Sequence, residues 1–350
     1  MIVDRFDAVV GVDTHRDTHS AALTDLVGRQ LGSLLVPADA EGYQRLLAWA
    51  AKATPGLRVL WALEGTRSHG AGLTRALHAA GAAVTETDRP TRRARRAGKN
   101  DPMDALLAAR AALARDQIRQ PRTDGAREAA RLLLVERDRL VRHRTAVINQ
   151  MRDLVLTAPD QLRQRLRGKT ITALVQASLA LRHRAGEDLE TRVRVQSLRR
   201  LARRAQALTH DANAIEADLR QLTDDNVGHL IAEPGIGPIV AAQLWVSWSH
   251  PGRIGSEAAF AALAGASPLE ASSGQTTRHR LNRGGDRHLN RALHQIMLTR
   301  LATHPQTRAY LDRRLADGKT PREARRCIKR YLARRIWRLL EHQAAPPVDS

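Results

Sequence analysis

The chain has 350 residues, a length that suits two domains and a connector better than a single core. Lys and Arg number 57 against 36 Asp and Glu, and the resulting formal charge of +21 predicts a polyphosphate partner without separating DNA from RNA. Aromatic residues make up only 3%, which excludes aromatic stacking as the main mode of nucleic-acid binding, and the single cysteine, Cys327, excludes internal disulfides and a Cys-based zinc site.

The sequence predicts no membrane partner. No apolar stretch approaches the ~18–20 residues that a membrane span needs. The N-terminus carries Asp4, Arg5 and Asp7 where a signal peptide would be apolar. We therefore expect a soluble, cytoplasmic protein.

Residues 1–120 are predicted to form an α/β domain with a mixed sheet and flanking helices, because strands come first and then alternate with helices. The predicted strands cover residues 7–13, 18–24, 32–36, 59–63 and 82–87, and the predicted helices cover 40–53, about 69–80 and a stretch that opens at Asp101.

Four acidic residues fall at the ends of these elements. Asp13 and Glu64 each end a strand that must be buried, while Asp101 and Asp104 lie three residues apart at a helix start. Together they predict a site for Mg²⁺ or Mn²⁺, which prefer carboxylate ligands, and two such ions can clamp a phosphodiester. The alternatives are a turn residue at Asp13 and ordinary helix capping by Asp101 and Asp104. Taken by itself, the Asp101 and Asp104 pair is better explained by helix capping.

A basic run precedes this acidic pair. Its side chains either hold nucleic acid over the metal ions or form a solvated surface. The run consists of Arg92, Arg93, Arg95, Arg96 and Lys99.

Residues 121–226 predict a helical coiled-coil connector. Leucines, valines and isoleucines recur at helical spacing in two long stretches, which a shorter helical region near 160–185 joins. The pattern alone favours a spacer or an oligomerisation arm.

Residues 227–304 predict a mainly α-helical domain, and 305–350 a basic helical tail. Gly235 and Gly237 lie in a Pro-Gly-Ile-Gly-Pro segment that resembles the turn of a helix-hairpin-helix module, whose backbone N–H groups grip phosphate. A plain turn between helices explains the segment equally well.

A serine-rich segment follows this turn. Gly274 permits a tight, exposed turn beside Ser273, but a serine hydroxyl is a weak nucleophile until a base or metal activates it, and no base lies in the segment. An ordinary polar loop is the alternative that composition favours. Basic residues suited to a phosphate follow, namely Arg278, Arg280, Arg283 and Arg287.

These segments resemble the DEDD transposases of bacterial insertion sequences, a family that includes the Piv-type DNA invertases. The resemblance rests on the three acidic blocks at 11–15, 63–66 and 98–105. It extends to the C-terminal blocks at 234–237, 263–268, 272–274 and 283–293, and so covers nearly the whole chain.

The resemblance implies an N-terminal domain folded like the resolvase RuvC, with Asp13, Glu64, Asp101 and Asp104 as metal ligands. It implies that Ser273, or its neighbour Ser272, attacks DNA. It also implies donor and target DNA as partners, a structured bridge RNA as guide, nucleoid association, and a homo-oligomer, dimer or tetramer, with composite active sites. A RuvC-like nuclease without serine chemistry and a non-catalytic nucleic-acid scaffold remain the alternatives.

Overall fold

The computed structural model describes residues 2–87, 101–183, 185–267, 269–270, 279–280, 282 and 284–343. The chain divides into two compact units, residues 1–123 and 124–350. The finer division into four segments stays a prediction. Only the backbone is described for Asp101, Leu269, Glu270, His279, Arg280 and Gln343.

The first unit contains a five-stranded mixed sheet, as the sequence predicts. The strands are β1 Ala8–Thr14, β2 Thr18–Thr24, β3 Gln30–Pro37, β4 Val59–Glu64 and β5 Ala83–Thr87. They lie in the order β3-β2-β1-β4-β5. Strand β2 pairs antiparallel with both β1 and β3, whereas β4 pairs parallel with both β1 and β5.

Helices cover both faces of this sheet. They are α1 Ala40–Ala53, α2 Ala71–Ala79 and α3 Asp101–Leu113. Alternate residues of β1 point to opposite faces, so Val10 and Val12 pack with α1 and α2, while Val9 packs with Ala109 of α3. Every residue of β1 is buried, which explains its uninterrupted apolar run.

The second unit begins with two long antiparallel helices. They are α4 Ala126–Leu156 and α7 Leu189–Val227, and the short helices α5 Asp160–Leu166 and α6 Ile171–Leu179 connect them. Ala130 near the start of α4 shares a core cluster with Leu219 near the end of α7. Met151 near the end of α4 packs instead with Leu198 near the start of α7. The two helices therefore run in opposite directions.

The remaining helices assemble on the first of these clusters. They are α8 Pro238–Trp248, α9 Glu257–Leu263, α10 Arg287–Thr303, α11 Pro305–Ala316 and α12 Pro321–Gln343, and two-residue strands β6 Leu269–Glu270 and β7 His279–Arg280 lie between α9 and α10. The cluster joins Ala130 to Phe260, Leu293 and Ile336. Helix α12, predicted as part of a basic tail, thus contributes to the same core as α4 and α8.

Candidate functional site

The strand register places Asp13 and Glu64 side by side. Strands β1 and β4 are parallel and pair up to Val12 and Leu63, and Asp13 and Glu64 are the next residue of each. Neighbouring residues on adjacent strands point to the same face of a sheet. Asp13 and Glu64 therefore share one face, at the end of the sheet where both parallel strands finish.

That face is the one that α3 covers. Gly11, two residues before Asp13, lies so close to α3 that a Cβ there would stand 2.1 Å from the carbonyl oxygen of Ala105. Asp104 precedes Ala105 on α3 and is only 6% exposed, as is Asp13. The structure thus brings Asp13, Glu64 and Asp104 to one side of the sheet.

Asp101 is the first residue of the same helix, three positions before Asp104. Its side chain lies outside the described residues. Among the side chains that are described, no three from His, Cys, Asp and Glu stand close enough to hold a metal ion. The four-carboxylate site therefore stays a prediction, of which three members are placed.

The turn after Glu64 is fixed by backbone and hydroxyl contacts. Gly65 adopts a φ of +66°, in the left-handed region that favours glycine, and its carbonyl oxygen accepts a hydrogen bond from the Ser68 backbone N–H at 2.8 Å. The Thr14 hydroxyl donates to the Glu64 carbonyl oxygen at 2.8 Å. Thr66 is fully buried and its hydroxyl donates to Glu86. These contacts hold the end of β4 beside the end of β1.

Strands β6 and β7 flank the predicted serine segment. They pair antiparallel, with Leu269 opposite Arg280 and Glu270 opposite His279. Ser272, Ser273, Arg278 and Arg283 lie outside the described residues, as do Arg92, Arg93, Arg95, Arg96 and Lys99.

The chain after this segment packs tightly against α9. A Cβ at Gly285 would stand 2.5 Å from the Leu263 carbonyl oxygen, and the Asp286 N–H donates to that same oxygen at 2.6 Å. The Asp286 carboxylate caps α10 by accepting from two backbone N–H groups, and it also accepts from the Ser247 hydroxyl at 2.8 Å. Arg287, the first residue of α10, is exposed to solvent.

The Pro-Gly-Ile-Gly-Pro turn is packed against α10. Gly235 has a φ of +84°, and a Cβ there would lie 3.2 Å from the Ile296 carbonyl oxygen. Arg300 of α10 donates to the Pro234 carbonyl oxygen at 2.7 Å. Gly237 caps α8, and no atom of the described residues lies within 4 Å of a Cβ built on it. The phosphate-binding role of Gly235 and Gly237 stays a prediction.

Two family models match the chain. One, described as a transposase, is the DEDD type of the IS110 group and matches residues 10–158. The other is described as transposase IS116/IS110/IS902 family and matches residues 229–312. The chain belongs to the IS110 family of DEDD transposases.

This family membership makes the protein a transposase, an enzyme that cleaves and rejoins DNA. The DEDD type also suggests the use of a divalent metal. A search of curated proteins found no match to the chain. Within the described part of the transposase, no helix is both long and apolar enough to cross a membrane.

The donor chemistry at the sheet edge of the transposase fits a hard divalent cation. Asp13, Glu64 and Asp104 offer carboxylate oxygens, which Mg²⁺ and Mn²⁺ prefer, and two of the three side chains are largely withdrawn from water. A buried carboxylate is costly unless charge or hydrogen bonds compensate it. A bound cation would add to the compensation that Asp13 receives from His15.

His15 also lies at this site, although it was not predicted from the sequence. Its Nε2 lies 3.1 Å from Oδ2 of Asp13, and its side chain is 38% exposed. The signal was available, because residues two apart along an extended chain point to the same side. His15 therefore belongs among the candidate functional residues of the transposase.

Proposed function

We propose that this transposase cuts and rejoins DNA through a serine nucleophile, with divalent metal ions held by Asp13, Glu64, Asp101 and Asp104. The observation that carries the proposal is the position of three of these carboxylates on the α3 side of one sheet edge. A mixed sheet that carries acidic residues at its strand ends also supports a RuvC-like fold for this unit.

A divalent cation bound to these carboxylates would supply positive charge next to the phosphate that reacts. Other residues of the chain position the carboxylates that would bind the cation. The contact between Thr14 and the Glu64 backbone fixes the two strand ends, and Gly11 lets α3 bring Asp104 close to the sheet.

Ser273 is the proposed nucleophile. Its Oγ attacks the phosphorus of one DNA strand, the bond to one deoxyribose oxygen breaks, and that oxygen leaves as a hydroxyl. The phosphoserine link conserves the energy of the broken bond, so that a hydroxyl from a second strand can resolve it and free the serine. The proposal is supported by the paired strands β6 and β7 on either side of the segment and by Arg280 and Arg287 next to it.

We further propose that the transposase acts as a dimer or tetramer on donor and target DNA, with a structured bridge RNA as its guide. The net charge of +21 supports binding to nucleic-acid backbones. Base pairing by the guide then supplies the sequence information, as in other guided systems.

Strand cleavage in vitro tests the serine step. We expect Ser273→Ala to abolish the covalent protein–DNA product and strand cutting with Mg²⁺, while Ser272→Ala, the matched control, retains both. Nicking by Ser273→Ala protein would instead indicate a metal-dependent nuclease in which the serine is structural.

The carboxylates need a separate test. We expect Asp13→Asn to reduce cleavage by on the order of 10³-fold, the scale of losing a main source of charge stabilisation at a reacting phosphate. Asp17→Asn removes the same charge from a side chain that is 76% exposed and provides the control. Unchanged transposition by Asp13→Asn and Glu64→Gln proteins would favour a non-catalytic scaffold.

The guide and the oligomer are tested together. Purification from cells that carry the whole element, followed by sequencing of the bound RNA, should recover one structured transcript. Mixing Asp13→Asn with Ser273→Ala protein should restore cleavage if different subunits supply the two groups. Recovery of random cellular RNA would contradict guidance.

A further inference from the structure

A cavity of about 750 Å³ lies between the end of α10 and helices α11 and α12. Its volume falls in the range of sites that hold small ligands, about 300–1,000 Å³. From sequence, residues 305–350 of this region are predicted only as a basic helical tail. The walls combine arginines, tyrosines and aliphatic side chains.

Two of the chain's three tyrosines stand at this cavity. Tyr310 and Tyr331 meet edge to face, with ring centroids 5.4 Å apart. The guanidinium of Arg314 lies 5.1 Å from the centre of the Tyr310 ring. Tyr331 is 52% exposed and thus presents an aromatic surface to solvent. In a chain with 3% aromatic residues, such a concentration marks the cavity as a place for a planar ligand.

Four arginines line the same cavity around two carboxylates. Glu233 binds Arg300 and Arg335, at 2.9 and 2.6 Å, and Glu257 of α9 binds Arg334 and Arg338. These four positive charges face two negative ones, so a formal surplus of two remains. The carboxylates also hold the guanidinium groups in place, which lowers the entropic cost of ordering these side chains when a ligand binds.

The arginines on α12 keep hydrogen-bond donors available. Arg334, Arg335 and Arg338 use Nε and Nη2 to bind Glu233 or Glu257, and within the described chain their Nη1 atoms donate no hydrogen bond. Their side chains are 48%, 59% and 55% exposed. Guanidinium groups with unused N–H donors are well suited to phosphate.

We propose that this cavity binds an unpaired nucleotide of a single-stranded nucleic acid, with the base against Tyr331 and the phosphate on Arg334 and Arg338. A base inside a duplex is stacked on its neighbours and does not enter a concave site, so the ligand is single-stranded. An acidic peptide would satisfy the arginines but leave the Tyr331 ring without a partner. The inference deepens the proposed function, on which its biological meaning rests.

Binding without metal tests the cavity apart from any cleavage. Fluorescence anisotropy with the full chain in chelator would compare labelled 12-nucleotide single strands, as DNA and as RNA, with a duplex. We expect Tyr331→Leu to weaken single-strand binding about tenfold, the scale of one lost base stack, and to leave duplex binding unchanged. Tyr331→Phe should retain wild-type affinity. The DNA and RNA arms identify the source of the strand.

A matched pair of arginines tests the phosphate contact. Arg338→Ala should weaken single-strand binding by severalfold. Arg322→Ala removes the same charge from an exposed position of α12 outside the cavity and should have a smaller effect. Equal losses of single-strand affinity in both variants would show that Arg338 contributes only general electrostatic attraction, and would overturn the proposal.

Photo-crosslinking gives an independent readout. A single strand with 5-iodouracil at one position should crosslink to the peptide that carries Tyr331. Three results would each overturn the proposal: crosslinks only elsewhere, equal loss of duplex and single-strand affinity in Tyr331→Leu, or displacement of the strand by a hexaglutamate peptide at equal concentration.

The cavity and the serine chemistry can fail separately. If Tyr331→Leu binds normally while Ser273→Ala fails to cleave, nucleotide binding in the cavity is refuted and the serine chemistry stands. The converse results refute the serine chemistry alone.

Discussion

Gly11 determines how closely α3 approaches the sheet edge that carries Asp13 and Glu64. Even a methyl group at this position would lie 2.1 Å from the Ala105 carbonyl oxygen and 2.5 Å from the Ala109 nitrogen. We expect Gly11→Ala to lower the free energy of unfolding by about 1–3 kcal/mol, because α3 must move outwards. The measurement is urea denaturation of the full chain.

Gly228 offers a control for this substitution, because a Cβ built there would meet no atom of the described chain within 4 Å and its φ is −52°. Gly228→Ala should change stability by less than about 0.5 kcal/mol. A Gly11→Ala protein as stable as Gly228→Ala would show that α3 can move away from β1 without lowering the free energy of unfolding.

The ion pair of Asp7 and Arg58 ties the starts of β1 and β4 together. Hydrogen bonds from the Arg58 side chain and backbone lower the pKa of Asp7 from 3.8 to about 2. A lowered carboxylate pKa stabilises the fold above the unfolded value and loses that contribution as the pH falls towards 2. NMR titration should find the Asp7 midpoint near pH 2, and Arg58→Ala should return it towards 3.8. An unchanged midpoint would contradict the pairing.

Asp13 and Glu64 could be found from sequence because each follows an apolar run that must be buried. Their burial depth and shared face depend on the register between strands about 50 residues apart, which no local pattern encodes. His15 was not predicted, although its spacing of two residues from Asp13 in an extended segment places both side chains on the same side.

At the scale of elements, Arg127 joins α4 to α8. It is 3% exposed, and its Nη2 and Nε donate to the Val246 carbonyl oxygen at 2.6 and 3.2 Å. We expect Arg127→Met to destabilise the chain by about 1–3 kcal/mol, since the buried carbonyl loses its donors. Arg139→Met, at an exposed position of the same helix, should have little effect. Equal denaturation midpoints for the two variants would contradict this role.

The strands and helices of the first unit's sheet followed from sequence, whereas the two-residue strands of the second unit did not. The pattern located α1 at 40–53 and β2 at 18–24, because burial on one face or on both imposes a regular apolar spacing. Strands β6 and β7 have two residues each, too few for any period to appear. The place of α12 in the core was hidden by its arginines, which cover the outer side of a helix whose inner side holds Ile328, Leu332 and Ile336.

At the scale of the whole molecule, charge governs association with nucleic acid. With a net charge of +21, we expect the affinity for DNA or RNA to fall by on the order of 10³-fold between 50 and 200 mM salt, the loss that six or more phosphate contacts produce. Anisotropy titrations at a series of salt concentrations measure the slope. An affinity that stays flat across this range would exclude backbone contacts as its source.

Helices α4 and α7 each run through two separate apolar clusters, one that holds Leu219 and Phe260 and one that holds Met151 and Leu198. Among the described residues, the cluster with Met151 comes from these two helices and the segment between them, so we expect it to open while the other stays closed. Amide hydrogens near Leu198 should then exchange with solvent sooner than those near Leu219, although both belong to one continuous helix. We therefore expect the part of the helix pair around Met151 and Leu198 to unfold and refold locally, while the helices packed around Leu219 and Phe260 stay folded.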